Sequence, residues 1–115
     1  PHVVLESPLS LTEIEAVYVP FRAREDEVHL NFMEMYRAQN RRKLFVETFV
    51  QEEPAAQRVG LLIRERDDGR LIISIHDVGF PRPTAGLQAA VRHLARWLMG
   101  LADGMEVLQH NLGEI

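Results

Sequence analysis

The sequence predicts an α+β domain of two layers. Its sheet is an antiparallel, four-stranded (or, with a terminal segment added, five-stranded) meander, and an N-terminal and a C-terminal helix pack on one face. Three observations carry this. Asp68-Gly69 divides two apolar runs between Arg58 and Val78, and such a pair accepts the positive φ angles of a tight hairpin. Ser10 and Glu13 stand in the S-x-x-E spacing of a capping box, which opens a helix. Leu87, Val91, Leu94, Leu98 and Leu101 recur at the spacing of one helix face, while Gln88, Arg92, His93 and Arg96 mostly face outward.

The elements follow in order. His2 to Leu5 is a short apolar run, read as an edge strand or a frayed arm. The first helix carries Leu11, Ile14, Val17 and Tyr18, has Leu9 and Ile14 placed for a hydrophobic staple, and ends near Val19 because Pro20 cannot continue it. The charged cluster Arg22, Arg24, Glu25, Asp26, Glu27 reads as a solvated turn. Residues 28–36 are ambiguous: Val28, Leu30 and Phe32 alternate as in a strand, while Val28, Phe32, Met35 and Tyr36 would line a helix. A strand is preferred. The turn-like Gln39-Asn40-Arg41-Arg42 leads into Leu44–Val50, whose β-branched and aromatic residues mark a strand. Glu52 to Gln57 is expected as a loop before the hairpin. Gly79, Pro81 and Pro83 then make a stiff connection. Thr84 caps the last helix, Gly104 is its expected C′ residue, Met105–Leu108 could form a final strand, and Asn111–Ile115 is expected to be loose.

At 115 residues the chain is read as one domain, 1–115. With 46% hydrophobic residues it can build a core without a metal or a disulfide, and it has no cysteine to form one. No apolar run approaches the ~20 residues of a membrane helix, and the start PHVVLESPLS lacks the pattern of a signal peptide. A cytoplasmic location without membrane contact is expected. The net charge of −4 argues against broad attraction to nucleic acid. Of the 13 basic residues all but Lys43 are arginine, which fits a GC-rich bacterial genome.

Chemical motifs are sparse. The histidines at 2, 29, 76, 93 and 110 show no metal-ligand spacing, and no cofactor is expected. Ser7, Ser10 and Ser74 lack a nucleophile-elbow context, and the glycines form no phosphate loop. Glu47, Glu52 and Glu53 read as an acidic edge. The pair His76-Asp77 stands before a helix start. With Arg82, and with His93 from the last helix, it could bind an anionic ligand or act on one. Adjacent strand residues point to opposite faces, however, so His76 and Asp77 need not meet. Arg37, Arg41, Arg42 and Lys43 make a basic turn at 37–43 that could touch phosphates, although a charged turn tip is the commoner use. Trp97 is read as core or as subunit interface, where Trp is enriched.

The strands carry apolar residues on both faces. Leu44, Val46 and Val50 oppose Phe45 and Phe49, and Leu62 opposes Leu61 and Ile63. Two helices cover only one face, so the other calls for a second subunit, with Leu44, Val46, Leu62 and Trp97 as interface candidates. The order helix, meander, helix resembles small bacterial α+β dimers, secretion-chaperone-like domains among them. That resemblance is one of architecture and carries no site residues. The expected function is a homodimeric protein-interaction or chaperone-like module. The alternatives are an anionic-ligand binding protein or enzyme using the 76–84 loop, and a weak nucleic-acid binder using the basic turn.

Overall fold

A computed structural model describes residues 1–76 and 84–115. The elements are β1 (His2–Glu6), α1 (Leu11–Val17), β2 (Phe21–Glu25), β3 (Val28–Arg37), β4 (Lys43–Glu52), β5 (Ala55–Glu65), β6 (Leu71–His76), α2 (Ala85–Met99) and β7 (Glu106–His110). All seven strands join one antiparallel sheet in the order β2-β3-β4-β5-β6-β1-β7, which curls into an open half-barrel. The expected meander of four or five strands is therefore corrected to seven.

Three segments account for the difference. The charged cluster after Pro20 is not a turn. In β2, Phe21, Ala23 and Glu25 are half-buried while Arg22 and Arg24 are exposed. Outward charges on a short edge strand hinder pairing with another chain, and this made the segment look like a solvated loop. The N-terminal run is neither an edge nor an arm. β1 lies between β6 and β7, with Val4 paired to Ile72 on one side and Gln109 on the other. Finally, β4 and β5 run through the expected loop, so that Glu52 pairs with Ala55 across the turn at Glu53-Pro54.

Most of the other local signals hold, the end of α2 and the C-terminal tail being the exceptions. Ser10 caps α1 in a complete capping box, accepting from the Glu13 N–H at 3.2 Å while the Glu13 carboxylate accepts from the Ser10 N–H at 3.0 Å. Residues 28–37 form the strand preferred from the sequence. Gly69 takes φ +84° in the β5–β6 hairpin. Thr84 accepts the Leu87 N–H and caps α2. That helix stops at Met99, with Gly100 as its C-cap, and Gly104 serves the next turn instead (φ +89°). The tail after β7 is not loose: Leu112 is 4% exposed, and the Asn111 side chain accepts the His2 N–H at 2.8 Å. The stiff connection from Gly79 to Pro83 lies outside the described residues.

Both helices pack on the concave face. The strands supply Leu44, Val46, Val50, Leu61, Ile63 and Ile73, all fully buried, and α2 answers with Leu87, Val91, Leu94 and Leu98. Small residues bring α2 close. A methyl group on Gly86 would collide with the Glu52 carboxylate and with Val50, and Ala89, Ala90 and Ala95 are fully buried.

On the convex face Phe45, Phe49, Leu62 and Ile72 are half-buried. The Phe45 ring lies over Gly60, where any side chain would overlap it, a pairing in which an aromatic ring covers a strand glycine. Gly60→Ala is expected to lower the unfolding free energy by about 1–3 kcal/mol through overpacking, read from urea midpoints. The loss should shrink when Phe45 is already alanine; equal losses in both backgrounds would show that the ring does not rest on Gly60.

Candidate functional site

The structure separates the residues proposed for ligand binding. His76 ends β6 on the convex face, its ring edge-on to Phe45 with centroids 5.5 Å apart. His93 sits on α2, across the sheet, bonded to Glu25 of β2. These two residues do not converge, and Asp77 and Arg82 lie outside the described residues. The start of α2 already holds an anion. Glu52 at the end of β4 accepts from the Thr84 hydroxyl at 2.6 Å and from the Gly86 N–H at 3.3 Å. A carboxylate is favoured at a helix N-terminus by the free N–H groups and the helix dipole. An anionic ligand would have to displace it.

The basic turn is similarly engaged. Arg37 points to the concave side, donating to Thr12 Oγ1 at 2.8 Å and to the Arg41 carbonyl at 3.2 Å, with Glu15 3.6 Å away. Arg42 donates to Asp67 at 2.9 Å. The groove of about 450 Å³ beside this turn mixes Arg42, Lys43, Arg64 and Arg66 with Glu65, Asp67 and Asp68. Charges of both signs at one tip do not make a phosphate track.

The interface candidates divide as well. Leu44 and Val46 are fully buried beneath the helices and present nothing to a second chain. Alternation separates the two sets of β4 but does not say which set faces in, and one residue of offset exchanges them. Trp97 is half-buried in an aromatic cluster of its own chain, edge-on to Tyr18 at 5.4 Å and stacked near Phe21 at 6.0 Å, with Phe21 on Phe32 at 4.3 Å. Tyr18 also donates to the Met33 carbonyl at 2.7 Å; burial and then the Glu34 charge push its phenol up to about 12. Of the four candidates only Leu62 lies on the convex face.

A charged cluster escaped the sequence reading, which had Arg92 and His93 facing outward. Arg92 is 9% exposed. Its guanidinium donates to Glu25 at 2.5 Å, to the Glu114 carbonyl at 2.8 Å and to the Leu112 carbonyl at 3.2 Å. His93 Nε2 stands 3.2 Å from the other Glu25 oxygen. One arginine thus ties α2 to the edge strand and to the C-terminal tail. Burial pushes the Glu25 carboxyl up, but the hydrogen bonds and charges of Arg92 and His93 outweigh it and hold the group below its ordinary value. Burial, with Arg96 and Arg92 nearby, holds the His93 imidazole low despite the Glu25 bond. Neutral His93 therefore donates its Nε2 hydrogen to Glu25. Both carboxylate oxygens of Glu25 are engaged, one by Arg92 and one by His93, so the arrangement holds α2 against β2. Among the described residues no His, Asp and Glu side chains gather as metal ligands.

Both pKa values are depressed, so the stability these groups contribute is present above their ordinary values and is lost on acidification. Stability should fall as pH drops below 6.5, where the unfolded His93 takes up a proton first, and again below 4.5 as Glu25 follows. Thermal melts from pH 7 to 4 check this, and His93→Gln should flatten the first descent; an unchanged profile would refute the role of His93. Arg92→Met should cost about 2–3 kcal/mol, less than the ~3–5 of a fully buried broken pair because Glu25 keeps contact with water. Comparison with protein families, characterised proteins and solved structures returns no match to this chain.

Proposed function

We propose that this chain is a homodimeric protein-interaction module whose contact surface is the convex face of β3 to β6. The observation that carries the reading is an apolar row running across the strands on that face. Tyr36 pairs with Phe45, and Phe45 with Leu62; Tyr36 is 52% exposed and the other two are half-buried. On β6 Ser74 pairs with Leu62 and ends the apolar row, and Ile72 stands two residues along, paired with Arg64. Both helices are committed to the concave face, and no helix among the described residues covers this one. Large aromatic and aliphatic side chains standing together at a surface are the usual anchors of a protein contact.

The resemblance to secretion-chaperone-like dimers gives no support, because it rested on a helix, four strands and a helix, and the sheet has seven strands. The dimer reading rests on the convex row instead. No helix of the described residues is long and apolar enough to cross a membrane.

Sedimentation equilibrium should give twice the 13.2 kDa chain mass at micromolar concentration. Leu62→Asp, which puts a charge into the row, should weaken association at least tenfold (about 1.4 kcal/mol) with the far-ultraviolet circular dichroism unchanged. A chain that stays monomeric at several hundred micromolar would refute the reading.

A further inference from the structure

We infer that the second copy docks face to face about a two-fold axis that runs across the strands, along the row Tyr36–Phe45–Leu62. This deepens the homodimer reading and rests on it. The charges flanking the row decide the axis. On β4, Glu47 lies two residues to one side of Phe45 and Lys43 two residues to the other; Arg64 of β5 pairs with Lys43, and Gly60 pairs with Glu47. Residues two apart on a strand share a face and stand roughly 6.7 Å apart. Two residues from the apolar row the convex face is therefore negative on one side, at Glu47, and positive on the other, at Lys43 and Arg64, while Arg58 stands two residues beyond Gly60 on the Glu47 side. Among the described residues Glu47, Lys43 and Arg64 have no ion-pair partner within their own chain.

A two-fold axis along the row carries the Glu47 side of one copy onto the Lys43 side of the other. Glu47 then meets the partner copy's lysine, with the arginine diagonal to it, and this happens twice by symmetry. Arg64 comes over Gly60, where the Phe45 ring is the side chain that occupies the space. The apolar row packs on itself at the centre. Packed sheets lie about 10 Å apart, a gap that these side chains bridge. An axis parallel to the strands fails. Along β4 it sets Glu47 on Glu47 and Lys43 on Lys43; along β5 it sets Arg64 on Arg64; between them it sets Lys43 on Arg64. Like charges brought together at a contact reject that arrangement. Two residues further out, Arg58 approaches Arg66 at the rim, where Asp68 already holds Arg66 at 3.2 Å.

Charge exchange tests the axis. Glu47→Lys and Lys43→Glu should each weaken self-association at least tenfold, measured by sedimentation. Mixing the two variants should restore a heterodimer of near wild-type affinity, because both contacts then pair opposite charges. The double variant should restore the homodimer in the same way. A wild-type dimer whose affinity neither reversal moves, or a mixture that does not associate better than its components, would overturn this axis and leave the homodimer standing. A monomeric wild-type chain would overturn both.

Discussion

The fold depends on the close seating of α2 in the concave face of the sheet. A seven-stranded antiparallel sheet that curls into a half-barrel leaves an apolar hollow that no strand can fill. α2 fills it from Gly86 to Leu98, and its glycine and alanines let its backbone approach β4. Leucines above and below those small residues then reach the flanking strands. Without the helix, Leu44, Val46, Leu61 and Ile63 would face water together.

A helix so enclosed cannot keep all its polar side chains in solvent, and the strands answer its charges. Glu52 from β4 meets the free N–H groups at its start. Glu25 from β2 meets Arg92 and His93 further along. Arg92 also satisfies two backbone carbonyls of the tail, which no ladder partner reaches. These contacts fix α2 against the first strand of the meander and against the last residues of the chain. The sheet is thereby tied across its full width, from one edge strand to the segment that follows the other.

The convex face obeys a different constraint. There the Phe45 ring lies over Gly60, and Glu47 stands two residues to one side of the apolar row with Lys43 and Arg64 two residues to the other. In the dimer proposed above, these charges favour one orientation of the second copy.

Local signals in the sequence determined the local structure: the Ser10–Glu13 box, the Asp68-Gly69 hairpin, the Thr84 cap and the alternation through 43–50 each act within a few residues and need no distant partner. The chain alone also determined that apolar side chains would occupy both faces of the strands. Tertiary structure decided the rest. The placing of β1 between β6 and β7 depends on partners some 70 and 100 residues away, and no spacing along the chain records such a pairing. Arg22 and Arg24 hid β2, because outward charges look alike on an edge strand and on a loop. Arg92 looked like a surface residue until the tail and β2 supplied its acceptors. Which half of an alternating strand faces inward is set by the element that packs on it, so only the folded chain could place Leu44 and Val46 inside and leave Phe45 and Leu62 on the convex side.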